Sequence, residues 1–289
     1  MRTFIRFLPV VCFLMLFPCS VIGADTLKIH LTYKFKLDDA GKPQGYNTIN
    51  QKFYTPDQIL FREISYDEKT GQIASYVFYF YAGNKLSTEE CYNQKDSLLY
   101  ILKHEYDAAG RESQELRFEP VSGIMQVIRI TVKSYDQNGE IIAKKEYDGK
   151  KLGASVQYDY EMPGLLAREI RKYKPVSKQP LKSKTLSYIY NPDKSLKQVL
   201  ISGKDISNKS FQGTEDYTYN DKGQLSSIRF SGPDYPAGLV KTYKYLDSGA
   251  LSFCQESDAA GKISKILQFD YKKHFMEKGV QVSYFATKK

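Results

Sequence analysis

The stretch HEYDAAGRESQEL, residues 104–116, contains a short turn that recurs along the chain. Related phrases are SYDEKTGQI, SYDQNGEI, TYNDKGQL and SDAAGKIS. In 106–110, YDAAG, the Asp side chain is suited to accept a hydrogen bond from the backbone two residues later. The Gly adopts a positive φ without steric cost and fits the turn to twisted strands. The phrase therefore predicts a β-hairpin turn.

Strict alternation of residue types surrounds these turns. SVQYDYE, KTLSYIYN and KTYKYLD each place aromatic residues on one face and mostly polar residues on the other, which is typical of half-buried antiparallel strands. Anchor aromatics recur about every 13 residues, the length of one strand plus one turn. We therefore expect an all-β array of antiparallel hairpins in one large curled or two-layered meander sheet, with roughly 16–18 strands. Residues 42–58, 174–184 and 202–213 break the rhythm and are predicted to be longer loops.

The pattern Y-[DN]-x-x-G-x-[LI] resembles the YD repeat of the RHS family. Residues 66–73, 106–110, 135–141 and 219–225 carry it, and degenerate copies cover most of 30–275. The resemblance implies hairpins in a long sheet that winds into a hollow shell around a cargo, or that serves in surface adhesion. It also implies kinship with the short exported YD-repeat proteins of Gram-negative bacteria.

The N-terminus has the features of an export signal. Arg2 and Arg6 precede an apolar run over 7–17, and Val21-Ile22-Gly23 suits cleavage. We expect a signal peptide over 1–23 and a single β domain over 24–289, located in the periplasm or at the cell surface of a Gram-negative bacterium. Cys19 leaves lipid attachment as an alternative. No later stretch is apolar enough to predict a membrane-spanning helix.

Charge does not predict a nucleic-acid partner. The net charge is +9, and the basic excess is mostly Lys spread along the chain, whereas nucleic-acid sites cluster Lys and Arg on one element. Lys on exposed strands is typical of a sheet that resists edge pairing.

Catalytic motifs are missing from the sequence, which contains no G-x-S-x-G, P-loop or H-E-x-x-H pattern. The acids of the recurring phrase belong to turns. His104 is unusual because alternation places it on the aromatic face with Tyr106, yet no two histidines have chelating spacing. We expect a protein that is not an enzyme, with no cofactor and no metal.

Tyrosine is abundant, with 24 Tyr and no Trp. Tyr packs a sheet face while its hydroxyl reaches water, and it is also favoured at binding surfaces. The predicted role is an exported binding or scaffold protein that contacts glycan or another cell-envelope protein. The candidate binding residues are Tyr106, Tyr158, Tyr188, Tyr243 and His104. Alternatives are an outer-membrane β-barrel and a surface-associated carbohydrate-active protein.

Two cysteines, Cys91 and Cys254, remain after the predicted signal peptide. Export permits a disulfide between them. Because they are far apart in sequence, pairing would require the two ends of the sheet to meet. The sequence leaves pairing and two free thiols as open alternatives.

Overall fold

The computed structural model describes residues 26–174 and 180–275, so the predicted signal peptide and Cys19 lie outside the described residues. The described chain forms eighteen β-strands. In chain order, the strands are β1 (Thr26–Leu37), β2 (Pro43–Tyr54), β3 (Leu60–Tyr66), β4 (Ile73–Ala82), β5 (Lys85–Asn93), β6 (Leu98–Tyr106), β7 (Glu112–Val121), β8 (Ile124–Tyr135), β9 (Ile141–Asp148), β10 (Lys151–Met162), β11 (Leu165–Tyr173), β12 (Leu181–Tyr190), β13 (Leu196–Asp205), β14 (Ser210–Tyr219), β15 (Leu225–Gly232), β16 (Tyr235–Tyr245), β17 (Leu251–Ser257) and β18 (Ile263–Phe275).

The strands form a closed ring. Each strand pairs antiparallel with the next along the chain, and β1 pairs with both β2 and β18. The prediction of an all-β sheet of antiparallel hairpins is confirmed. The expected curled or two-layered meander was wrong in its form, because the sheet closes into a barrel. Closure pairs the backbone groups that a meander would leave free at its two edges.

The barrel is hollow. Substantial contacts join only strands that are neighbours in the ring, and none of the described side chains is fully buried. Two sheets packed face to face about 10 Å apart would bury their inner side chains. Eighteen strands spaced about 4.8 Å apart and tilted about 40° give a wall radius of roughly 18 Å, which leaves a channel inside.

The two faces of the wall differ in exposure. Cross-strand partners share a face, and we call the face that carries Cys91, Val156 and Val199 the lumen face and the other the outer face. Those three side chains are buried, as expected on the concave side, where side chains converge. On β1, β3 and β18, near the seam, Leu31, Ile64 and Ile266 are buried on the outer face instead. On β6 to β18 the outer face is more exposed. Its exposed members include Leu99, Lys103, Glu105, Ser134, Lys145, Gln157, Arg168, Lys172, Ile189, Leu200, Ser202, Lys204, Gln212, Thr218, Arg229, Lys244 and Gln268.

This outer face is predominantly polar. Of the seventeen residues named above, eight are charged and three are aliphatic, and Pro120 and Val127 add exposed apolar side chains on β7 and β8. Aromatic residues gather on the outer face of β4 and β5, where Tyr76 stacks on Tyr92 at 5.4 Å, and Arg62 lies over this patch, 5.4 Å from the Phe78 ring centroid. The wall of β6 to β18 therefore presents water-compatible side chains on its convex side.

The recurring turn has the geometry that its residues predict. Asp107 accepts a hydrogen bond at Oδ1 from the Arg111 amide at 2.9 Å, and its carbonyl accepts one from the Gly110 amide at 2.8 Å. Gly110 has a φ of +80°, a conformation that a side chain would strain. Hydrogen bonds to its carboxylate hold the pKa of Asp107 below its usual value, with the one from the Arg111 amide as the largest cause.

A ring of tyrosines explains why an aromatic residue precedes the turn. At the end of each even-numbered strand from β4 to β18, a Tyr hydroxyl donates to a backbone carbonyl near the start of the preceding strand, over 2.6 to 3.1 Å. We call these residues the tyrosine ring. Its members are Tyr81, Tyr106, Tyr135, Tyr160, Tyr190, Tyr219, Tyr245 and Tyr271. The repeating unit is therefore a two-strand hairpin, and the ring lies at one rim of the barrel.

Two predicted loops are strands instead. Residues 43–54 form β2, and 202–213 contain the end of β13 and the start of β14 around a short turn. Two mid-strand glycines in 202–213, Gly203 and Gly213, lie at close approaches of neighbouring strands. A Cβ on Gly203 would come within 2.3 Å of the Ser183 carbonyl oxygen. Of the third predicted loop, 175–179 lies outside the described residues, and β12 begins at Leu181.

Candidate functional site

The lumen face combines aromatic rings with charged side chains. Register alignment places Glu89, Leu102, Arg117, Arg129 and Asp148 side by side on it, across β5 to β9. Further round the wall, Tyr217 donates to Glu215 at 2.6 Å and Lys241 pairs with Glu256 at 3.2 Å. The lumen is therefore lined by groups that bind polar molecules, and it is not an apolar core.

His104 lies at the centre of a charged network on this face. Its Nε2 is 3.2 Å from Glu89 Oε1, and its Nδ1 is 3.1 Å from Glu112 Oε1. Lys133 donates to the second oxygen of Glu112 at 2.6 Å. The His104 side chain is only 7% exposed. The aromatic-face position predicted for His104 is thus a lumen position, and its neighbours are acids as well as rings.

The network shifts the titration of its members. The hydrogen bond to Glu89 raises the pKa of His104, against the opposing effect of burial, and Glu112 raises it further. Burial works to raise the pKa of Glu112, but the hydrogen bonds from Lys133 and His104 bring it below its usual value. The network therefore favours the charged form of each group.

The candidate binding tyrosines lie on the lumen face but do not form one site. The charge of Glu169 acts on both Tyr158 and Tyr188. Burial, with a smaller effect of the Glu169 charge, raises the pKa of Tyr188 to about 12. Tyr243 is on β16, where burial raises its pKa to about 12. Tyr106 belongs to the tyrosine ring, two residues from His104. Their strands are distributed round the barrel, so any ligand that touched all of them would have to be extended.

A first cavity lies on the lumen face at the rim opposite the tyrosine ring. We call it the arginine cavity; its volume is about 150 Å³, and Arg129, Glu146, Asp148, Arg171 and Tyr173 line it. Arg129 Nε is 3.7 Å from Asp148 Oδ1. Arg171 pairs with Glu169 at 3.2 Å, while its buried Nε has no hydrogen-bond partner. The cavity is therefore lined by paired charges, and one buried donor without a hydrogen-bond partner belongs to a lining residue.

A second cavity adjoins the first. We call it the phenylalanine cavity; its volume is about 240 Å³, and its lining includes Lys184, Asp205, Lys209, Phe211 and Asp234. Lys184 is the cross-strand partner of Arg171, so the two cavities form one strip along the rim.

Glycine at position 203 makes room for the ring in that cavity. Gly203 is the cross-strand partner of Phe211, and a Cβ at this position would come within 2.5 Å of the Phe211 ring. The ring therefore lies close over the strand backbone and presents an aromatic surface to the lumen.

Sequence reasoning did not find either cavity or the acids around His104. Glu89, Glu112 and Glu115 reach His104 from neighbouring strands, and a single sequence does not give cross-strand register. A mid-strand glycine such as Gly203 was the available signal, since it marks a close approach of backbone or ligand.

The cysteines are not paired. Cys91 on β5 and Cys254 on β17 are both free and buried, and burial raises the pKa of each thiol. The disulfide alternative was wrong although the sheet closes. The seam joins β1 to β18, and six strand steps separate β5 from β17, roughly 30 Å across the barrel. A disulfide needs Cα atoms within about 7 Å.

Fold and site together define a class: a closed, hollow, antiparallel β-barrel with a charged and aromatic lumen. No protein-family model and no curated protein matches the sequence. Among solved structures, a porin-like protein from Bacteroides uniformis has 10% identity and a TM-score of 0.40, over 86% of this chain and 96% of that chain. A porin-like protein from Bacteroides vulgatus has 11% identity and a TM-score of 0.36, over 84% and 97%.

The complex TcdB2-TccC3 is also similar, with 13% identity and a TM-score of 0.33, over 86% of this chain and 14% of that chain. Similarity at this level transfers no function, and the resemblance to YD repeats stays a prediction. The part of the chain that the structure describes includes no helix long and apolar enough to span a membrane.

Proposed function

We propose that the chain is an exported, water-exposed barrel that binds an extended glycan on its lumen face. The observation that carries the proposal is the strip formed by the arginine and phenylalanine cavities. Sugar recognition needs an aromatic surface for the C–H face of the ring and polar groups for its hydroxyls. The strip supplies Phe211 for the first task and Asp205, Asp234 and the two arginines for the second.

The dimensions of the strip favour a chain over a single sugar. The two cavities are adjacent and share the β11–β12 boundary through Arg171 and Lys184. Tyr158, Glu169 and Tyr188 continue the polar and aromatic lining away from the rim. A ligand of several units would meet one aromatic surface and several paired charges along its length.

A glycan array with the protein lacking residues 1–23 tests this proposal. We expect binding to a defined set of polysaccharide fragments, and Phe211→Ala should weaken that binding about ten-fold through loss of the aromatic surface. Phe253→Ala is the matched control, because Phe253 lies on the outer face opposite Lys244. Absence of any bound glycan, or equal loss in both variants, would overturn the proposal.

An outer-membrane β-barrel is a second candidate, favoured by closure with an even number of strands. Such barrels need an apolar outer band, and Lys or Arg at mid-bilayer depth costs about 2–4 kcal/mol each. The exposed outer face of β6 to β18 instead carries residues such as Lys103, Arg168 and Lys244. The polar outer face is why we place the water-exposed barrel first.

Detergent phase partitioning separates the two candidates. We expect the protein without residues 1–23 to stay in the aqueous phase and to give no conductance in planar bilayers. Partition into the detergent phase together with stable ion channels would favour the outer-membrane candidate and remove the water-exposed barrel.

A further inference from the structure

The hairpin of β6 and β7 brings three potential metal ligands together on the lumen face. His104, Glu112 and Glu115 each offer one ligand atom, and these atoms lie within 4.8 Å of one another. His104 and Glu115 are direct cross-strand partners, and Glu112 begins β7 beside them. The spacing thus comes from strand register and does not depend on a loop.

His104 is held in the orientation that a ligating histidine needs. One ring nitrogen, Nδ1, faces Glu112 at 3.1 Å, while the other, Nε2, is 3.2 Å from Glu89 on β5. Metal-bound histidines usually donate their second N–H to a carboxylate, which fixes the ring and raises its basicity. Glu89 occupies that position, and Lys133 fixes the free oxygen of Glu112 at 2.6 Å.

We propose that His104 Nδ1, Glu112 and Glu115 form a binding site for a divalent transition-metal ion such as Zn²⁺, with Glu89 and Lys133 as supporting partners. Binding replaces the proton on Nδ1, so one proton leaves as one ion enters. An imidazole with two carboxylates suits zinc and its neighbours, whereas Ca²⁺ and Mg²⁺ prefer all-oxygen sites. The three protein ligands leave a coordination position open to water or to a molecule in the lumen.

The site is distinct from the glycan strip. Residues 104, 112 and 115 lie on β6 and β7, towards the rim of the tyrosine ring, whereas the cavities line β8 to β15 at the opposite rim. Metal binding can therefore be measured without any glycan, and failure of one proposal leaves the other standing.

Zinc titration of chelator-stripped protein lacking residues 1–23 tests the site. We expect one Zn²⁺ per chain at neutral pH, in competition with a fluorescent chelator. Both His104→Ala and Glu115→Gln should weaken binding about ten-fold or more. His30→Ala is the matched control, because His30 also faces the lumen but packs against the rings of Tyr54 and Tyr271, and the charges that act on it are those of Lys28 and Lys52 rather than carboxylates.

Three outcomes would overturn the proposal. The first is the absence of stoichiometric Zn²⁺ binding to the folded protein. The second is undiminished binding in both His104→Ala and Glu115→Gln, and the third is binding of Ca²⁺ as tight as that of Zn²⁺. Circular dichroism shows that each variant is folded, and the conservative Glu115→Gln retains side-chain volume if His104→Ala does not fold.

Discussion

At the scale of single residues, the positions that look most reactive in the sequence have structural tasks. Asp107 holds a turn, and Tyr106 donates to the Leu86 carbonyl at 2.7 Å. His104 differs, because two carboxylates on neighbouring strands hold its ring. Alternation along one strand predicts its face, but its partners come from register, which the sequence alone does not supply.

His104 gives stability a specific pH dependence. Its pKa is raised from 6.5, so its contribution is present below that pH and is lost as the pH rises through the folded pKa. We expect the free energy of unfolding, measured in chelator, to fall as the pH rises above 6.5 and through the folded pKa of His104, and His104→Gln to reduce that fall. Burial lowers the pKa of His30, so its effect on stability lies below pH 6.5, and His30→Gln should leave the fall above pH 6.5 unchanged. An unchanged slope in His104→Gln would contradict the network.

The tyrosine ring makes a second prediction at this scale. The Tyr219 hydroxyl donates to the Leu196 carbonyl at 2.9 Å, so Tyr219→Phe should lower the free energy of unfolding by about 1 kcal/mol. Exposed Tyr235 is outside the ring, and Tyr235→Phe serves as the control. Equal losses in the free energy of unfolding for the two variants, measured by chemical denaturation, would show that the hydrogen bonds of the tyrosine ring do not stabilise the fold.

At the scale of elements, the turn phrase predicts hairpins correctly because its bonds are local. Asn220 accepts from the Gln224 amide at 2.9 Å, and Gly223 has a φ of +72°. Strand ends that lack the phrase were harder to predict. Residues 43–54 contain Gly45 and several Asn and Gln residues, yet pairing with β1 and β3 makes them β2. Tertiary pairing overrides weak local preference there.

Gly223 tests the turn mechanism. A Cβ at this position meets nothing within 4 Å, so Gly223→Ala isolates the cost of a positive φ, and we expect a loss of about 1 kcal/mol in the free energy of unfolding. Lys222→Ala in the same turn should be nearly neutral. Equal stability of the Gly223→Ala variant and the unaltered protein would mean that the turn does not constrain the hairpin.

At the scale of the whole molecule, the sequence predicts the strand number but not closure. Local hairpins specify seventeen of the neighbour pairs, whereas the ring depends on one long-range pairing, that of β1 with β18. Period-two alternation also suggests one buried apolar face and one solvent-exposed face. In a hollow barrel, solvent reaches both faces. That is why aromatic residues share the lumen face with Glu, Arg and Lys.

Closure is the central claim, and a disulfide across the seam tests it most directly. Thr32 and Phe269 are register partners between β1 and β18. We would place Thr32→Cys and Phe269→Cys in a Cys91→Ser, Cys254→Ser background and measure disulfide formation under mild oxidation by mass spectrometry. Thr32→Cys with Leu102→Cys is the control, because Leu102 lies on β6, away from the seam. Rapid, quantitative pairing of 32 with 269 and none of 32 with 102 is the result we predict; failure of 32 and 269 to pair in the folded protein would contradict a closed barrel.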